Sequence, residues 1–179
     1  ALQMGPDKAL VLEDDSLKGA SSIMTSNVLS ELAKKVDADI IIFGTESTDG
    51  YAGVVPQQVS RILNLPCISY VKNIEIDDKV TLTRQTIEGS EKINLPNKCV
   101  ISVTASGVEP RYPNFKDIMA AKNKPVEIIS LNDIEYTAEQ NMKFLGIEDV
   151  SSIKEGEKII DEGESHNIII EKLKEIKAI

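Results

Sequence analysis

Thirteen residues, Gly44-Thr45-Glu46-Ser47-Thr48-Asp49-Gly50-Tyr51-Ala52-Gly53-Val54-Val55-Pro56, form the most chemically suggestive arrangement in the chain. They follow an apolar, strand-like run, residues 38–43. They lead into a segment whose Val59, Ile62 and Leu63 share one helical face. Strand, small-residue loop and helix, in that order, present backbone N–H groups to an anion. The first N–H groups of a helix have no intrahelical partner, and the helix dipole places partial positive charge there. Gly44, Gly50 and Gly53 let a ligand approach the main chain with no Cβ in the way. The implied chemistry is the holding of a phosphate without a charged side chain. On the loop alone, a tight turn at a sheet edge explains the same glycines. The spacing matches neither G-x-G-x-x-G nor G-x-x-x-x-G-K-[ST], so neither the dinucleotide fingerprint nor the P-loop applies.

Nothing else in the chain has the spacing of a reaction centre. No nucleophile–base pair or carboxylate dyad is visible, so no catalytic residue is assigned. The single histidine, His166, sits between Ser165 and Asn167 in a polar segment and reads as solvated surface. No Cys or His cluster surrounds it, so no metal ligand is assigned. Cys67 and Cys99 lie in apolar runs without C-x-x-C spacing and read as buried free thiols in a reducing compartment.

The chain's 179 residues suffice for one domain with a full core and an appendage. Hydrophobic residues make up 41% and charged residues 27%, the composition of a globular protein. A net charge of −9 argues against nucleic acid or an anionic membrane as the main partner, because phosphate backbones demand a basic face. It suits a chain that meets a basic patch on another protein. No apolar run reaches about 18 residues, so no membrane insertion is expected. No signal peptide is read, and the expected location is the cytoplasm, or the mitochondrial matrix in a eukaryote. The opening Ala1-Leu2-Gln3-Met4-Gly5 reads as a helix end stopped by glycine, so a segment upstream of it is expected.

The elements around the loop follow from periodicity. Residues 9–12 read as a buried strand and residues 20–36 as an amphipathic helix carrying Val28, Leu29, Leu32 and Val36. Residues 38–43 read as a parallel strand covered on both faces, and a second helix runs to Asn64. This is β-α-β-α, the unit of an open parallel sheet. The pattern then changes to short strands at residues 66–76, 80–83 and 98–104, joined by polar turns such as Asp77-Asp78-Lys79, as antiparallel hairpins require. A short helix is predicted over residues 116–122 and a last strand of the sheet over 126–131. Further on, residues 135–145 form one short helix ended by Gly146. Residues 148–164 read as a polar arm, and Ser165 caps a final helix with Ile169, Leu173 and Ile176 on one face. The expected fold is therefore α/β: an open, mostly parallel sheet of the adenine-nucleotide-binding type, with an antiparallel hairpin excursion and a C-terminal arm plus helix. Residues 1–131 form the nucleotide-binding domain and 132–179 the arm and helix that contact a partner.

Several segments, taken in order, carry a family likeness. They are Ala-Leu-x-Met-Gly-x-Asp-x-Ala from Ala1 to Ala9, Ser47-Thr48-Asp49-Gly50, and Arg84 with Glu88-Gly89-x-Glu91. Leu95-Pro96, Glu109-Pro110-Arg111-Tyr112-Pro113 and Ile118-Met119-Ala120-Ala121-Lys122-x-Lys124-Pro125-Val126-Glu127 follow, then the ending Lys172-Leu173-Lys174-Glu175-Ile176-Lys177-Ala178-Ile179. In this order and at these separations the chain resembles the electron transfer flavoprotein beta subunit family from its first residue to its last. On that likeness, the family's N-terminal third, with the first sheet strand, belongs upstream of Ala1.

The resemblance implies an electron carrier subunit that is not itself an enzyme. It pairs with an alpha subunit, and the redox FAD sits mainly on alpha. The heterodimer takes electrons from dehydrogenases such as acyl-CoA dehydrogenases and passes them to a quinone reductase or another acceptor. Ordinary members hold AMP in the beta subunit as a structural ligand. Electron-bifurcating members hold a second FAD there and accept electrons from NADH. The matched nucleotide loop comprises Gly44, Thr45, Glu46, Ser47, Thr48, Asp49, Gly50, Tyr51, Ala52, Gly53, Val54 and Val55. Asp49 falls on the family's acidic position. Gly53, Val54 and Val55 stand where many members have polar residues, which leaves backbone N–H groups to do the binding. Tyr51 is also unusual, and it stands where a ring can stack on or cover the ligand.

Two further sites follow from the likeness. Glu109, Pro110, Arg111, Tyr112 and Phe115 lie on a recognition loop for partner dehydrogenases, with Phe115 on its apolar anchor. One aromatic among polar residues and prolines is also a hot-spot pattern, although a Phe tucked into its own core is the other reading of the residues. Arg84 falls near the flavin contact, where Gln85 replaces an acidic residue; a plain surface arginine is the other reading. Two rivals to the ordinary carrier stand: the bifurcating member, and an adenine-nucleotide-binding module of the stress-protein type. The last leaves residues 109–113 and the C-terminal arm without a role.

Overall fold

The chain's most buried strand is β6, Cys99–Val103, where Cys99, Val100, Ile101 and Ser102 are all shut away from water. A near-continuous apolar run of this kind is what a strand covered on both faces requires. In the computed structural model, which describes residues 1–105, 110–136, 142, 145, 146, 148, 149, 156, 158, 160, 161 and 163–179, this strand is an inner strand of the larger of two sheets. The chain divides into two compact units, Ala1–Phe144 and Leu145–Ile179.

In the first unit, β1 (Ala9–Leu12) is followed by α1 (Ser22–Val36), β2 (Ile40–Gly44) and α2 (Val55–Leu63). Ser21 starts α1 by accepting the Met24 N–H at 3.3 Å. Asp37 and Asn64, both left-handed at φ 50° and 54°, end α1 and α2. Three strands follow: β3 (Cys67–Ile76), β4 (Val80–Gln85) and β5 (Ser90–Asn94). After β6 come α3 (Phe115–Ala121) and β7 (Val126–Ile129).

The five-stranded sheet has the order β2-β6-β3-β4-β5. Strands β2, β6 and β3 are parallel; β4 and β5 are antiparallel to their neighbours. Strand β3 serves both patterns. Its register shifts between Ile68 and Val71, and Tyr70 there has φ 60°. The Tyr70 N–H leaves the ladder and donates to Ser102 Oγ at 3.1 Å. Such a bulge bends a strand and increases its twist. The antiparallel ribbon can then bring Leu82 into one buried cluster with Ile68, Val71, Cys99 and Ile101, with Val80, Ile93 and Leu95 against it. Helix α2 packs on β6 and β3 as well as on α1.

Three sequence expectations are corrected. The strand expected to end the sheet stops at Ile129 and pairs, in parallel, only with β1 in a sheet of its own. The polar stretch Ser90–Asn94, to which the sequence assigned no strand, is one; its pairing to β4 from Thr81↔Asn94 to Gln85↔Ser90 supplies the order that its composition lacks. In the second unit the final helix, α4 (Ser165–Glu175), includes Ser165 as its first residue. The Ser165 N–H goes to Asp161 Oδ1 at 3.3 Å, and no side chain caps the helix at Glu164. The helix expected over residues 135–145 and the arm over 148–164 lie largely outside the described residues. Among the described residues no helix is long and apolar enough to cross a membrane, and no cluster of metal-holding side chains occurs.

Candidate functional site

The carboxyl end of β2 opens into a cavity of about 230 Å³ lined by Phe43, Gly44, Thr45, Glu46 and Ser47, by Ala52, Gly53, Val55 and Pro56, and by Thr25 and Leu29 of α1. The site stands where open α/β sheets place ligands, at the carboxyl ends of parallel strands. Thr45 fixes the start of the loop: its hydroxyl donates to the Val103 carbonyl at 3.2 Å, across to β6.

The loop's amides divide into two groups. The Gly50 N–H is spent on the Asp49 carboxylate at 2.7 Å, and the Tyr51 N–H on the Ser47 carbonyl at 3.0 Å. These bonds close the turn on itself. The Ser47 side chain first and the Gly50 N–H second hold the Asp49 carboxyl below its ordinary value. Asp49 therefore builds the turn. Among the described residues, nothing accepts the N–H of Ala52, Gly53, Val54 or Val55. Helix α2 begins there at Val54, which has no side chain able to cap it. By contrast, Ser21 caps α1 and Asn114 caps α3 by accepting the Asp117 N–H at 2.9 Å. Pro56, near the helix start, has no N–H to satisfy. Gly53, at φ 63°, turns the chain into that helix.

Of the residues expected to hold a nucleotide, the structure brings Gly44, Thr45, Glu46, Ser47, Ala52, Gly53 and Val55 to the cavity wall. Thr48, Asp49, Gly50, Tyr51 and Val54 are in the loop but not on that wall. Tyr51 is 72% exposed with φ 48°. Arg84 is elsewhere, on the β4–β5 ribbon, paired with Glu91 at 2.7 Å. Thr25, Leu29 and Phe43 were not assigned to the site from the sequence, and Pro56, though the last residue of the thirteen-residue run, was not counted among its ligand contacts. The i, i+4 spacing of Thr25 and Leu29 on one helix face was the signal available.

The expected recognition loop runs into α3. Tyr112 is 92% and Phe115 78% exposed, so Phe115 is not tucked into a core. Arg111 donates to the Met4 carbonyl, and Lys124 Nζ donates to the Leu2 carbonyl at 3.1 Å. Both ends of this segment are thereby tied to the short 3-10 turn Leu2–Met4, which Gly5 closes at φ 117°. Pro110 is exposed at the start of the described part of the loop; Glu109 lies outside the described residues.

A mostly parallel sheet with helices, an antiparallel ribbon and a loop cavity at a strand's carboxyl end defines an α/β domain of the open-sheet class. The family model of the electron transfer flavoprotein domain matches residues 1–134. The electron transfer flavoprotein subunits beta of Mycobacterium leprae, Mycobacterium bovis and Mycobacterium tuberculosis are each 36% identical to it over 181 residues. Each match covers 97% of this chain and 68% of the relative. The chain belongs to the electron transfer flavoprotein beta subunit family.

Proposed function

We propose that this chain is the beta subunit of an electron-carrying heterodimer. It gives a flavin-bearing alpha subunit a docking face, and it holds an adenine nucleotide by the phosphate in the cavity at the end of β2. The observation that carries the nucleotide reading is the uncapped start of α2. The amides of Ala52, Gly53, Val54 and Val55 are unspent, and three of these four residues line the cavity. A phosphate there satisfies donors that the fold leaves open and meets the positive end of the helix dipole. AMP is the ligand of an ordinary carrier, and FAD that of a bifurcating one.

The exposed Tyr112 and Phe115 support a docking loop for an electron-donating dehydrogenase of the acyl-CoA type, with a quinone reductase or similar acceptor downstream. In the second unit, α4 exposes Ile168, Ile169, Ile170 and, just past its end, Ile176. This apolar surface supports a role for residues 132–179 as an arm and helix that cover the alpha subunit. Arg84, tied to Glu91 on the ribbon, is assigned to the flavin side of that subunit contact rather than to the nucleotide. The chain itself carries electrons as part of the complex and catalyses nothing alone.

The test is the nucleotide content of the purified heterodimer. One flavin with one adenylate supports the ordinary carrier, and two flavins support the bifurcating one. A complex with one flavin and no further nucleotide removes the cavity reading.

A further inference from the structure

Among the described residues, no lysine or arginine lines the cavity. Glu46 is the one formally charged side chain among the described residues that line it. Its position is specific. A side chain built on Gly53 would begin 3.4 Å from Glu46 Oε2, so the carboxylate lies within about 5 Å of Gly53 Cα. Gly53 is also one of the residues whose amide is unspent. A negative charge therefore stands beside the donors that would grip a phosphate, and among the described residues no hydrogen bond engages it.

Resting on the nucleotide reading above, we propose that Glu46 sets the charge specificity of this cavity. It disfavours a terminal phosphomonoester and admits a phosphodiester of the kind found inside a dinucleotide. A phosphomonoester carries about −1.5 to −2 at neutral pH, whereas a diester carries one charge per phosphorus. Each unit of ligand charge at about 6 Å from this exposed, water-screened carboxylate costs roughly three- to tenfold in affinity, the range for an effective dielectric of about 80 to 40. The monoester pays this nearly twice. The backbone amides and the helix dipole also act more strongly on the more highly charged ligand, so the carboxylate's share is read from the change in the ratio of the two affinities when Glu46 is neutralised.

The experiment uses the heterodimer stripped of exchangeable nucleotide, as parent and as Glu46→Gln. The probes are adenosine, AMP and the 5′-methyl phosphodiester of AMP, each titrated calorimetrically. Glu46 is exposed, so the isosteric change leaves the fold intact. The parent's ratio of AMP to methyl diester affinity is the reference against which the variant is read. Glu46→Gln is expected to raise AMP affinity about tenfold or more and diester affinity only about threefold, with adenosine unchanged. An unaltered ratio of AMP to diester affinity in the variant overturns the proposal. So does weaker adenosine binding, which would make Glu46 an acceptor for sugar or base. If neither protein binds any of the three probes, the nucleotide reading itself fails, and this inference fails with it.

Discussion

The Ser26 hydroxyl lies 2.8 Å from Gln58 Oε1, joining α1 to α2 between their neighbours Thr25 and Val55–Pro56, which line the cavity. Ser26 is fully buried, and its hydroxyl also reaches the Ser22 carbonyl at 2.7 Å. Gln58 Nε2 completes the tie by donating to Ser22 Oγ at 3.4 Å. Gln58→Leu removes the bridge but leaves Ser26 its second acceptor, so no buried donor is orphaned. The expected cost is that of one net hydrogen bond, about 1 kcal/mol, read as a lower urea midpoint at unchanged slope. A midpoint equal to the parent's would show that packing alone holds the two helices together.

Gly53 is required for its backbone more than for its missing side chain. The nearest atom to a Cβ there is the flexible end of Glu46, whereas φ 63° is costly for a branched residue by about 1–2 kcal/mol. Gly53→Val is expected to lower nucleotide occupancy of the purified complex several-fold. Gly53→Asn, which tolerates the left-handed region, is expected to retain most of it. Equal adenine content in the valine variant and the parent would remove this loop from the binding site.

Much of this architecture was legible because its apolar runs and periodicity are strong, although β2, expected to be covered on both faces, is an edge strand with Ile40 and Ile42 exposed. The parallel strands β2 and β6, the helix α1 and the loop before α2 stand within a residue or two of where the sequence places them. What was not legible depends on partners far along the chain. Ser90–Asn94 has one apolar residue well placed to signal a strand, Ile93, and gains its order from the ladder to β4. Tyr70 gives no local sign of a bulge; its left-handed backbone follows from the change between parallel and antiparallel pairing on one strand. Asp49 illustrates the same limit in the site. Its residue type suggested ligand contact, but only the coordinates show its carboxylate closing the turn through Gly50.

Two carboxylates at the ends of the small sheet make its acid response predictable. Asp133 accepts the Ser130 N–H at 2.8 Å and the Ser130 hydroxyl at 2.9 Å, and the Ser130 amide is the chief cause of its lowered pKa. Asp14 is lowered chiefly by the Ser16 hydroxyl at 2.7 Å, and it also takes the Leu131 N–H at 3.4 Å, linking the end of β1 to the turn after β7. A carboxyl lowered in the folded state adds stability that is complete above its ordinary value of 3.8 and drains away as pH falls through the lower folded value. The thermal midpoint is therefore expected to drop below about pH 4, and to drop less in the double variant Asp14→Asn, Asp133→Asn. Parallel midpoint curves for parent and variant would exclude these two groups as the cause.

Phe115 combines high exposure with a fixed setting, since Asn114 caps its helix and Arg111 and Lys124 tie the flanking chain to the first turn. Its ring supports no core of its own, so Phe115→Ala is expected to change stability by no more than about 0.5 kcal/mol. Association is a different matter. Burying a phenyl ring against a partner contributes roughly 1.5–3 kcal/mol, so losing it weakens docking by about ten- to a hundredfold. The measurement is electron acceptance by the heterodimer from its dehydrogenase at limiting concentration, with flavin and nucleotide content determined on the same sample. A slower rate with intact cofactor content fits the anchor role. Unchanged transfer kinetics would exclude it, and lost flavin would reassign Phe115 to the contact between the subunits.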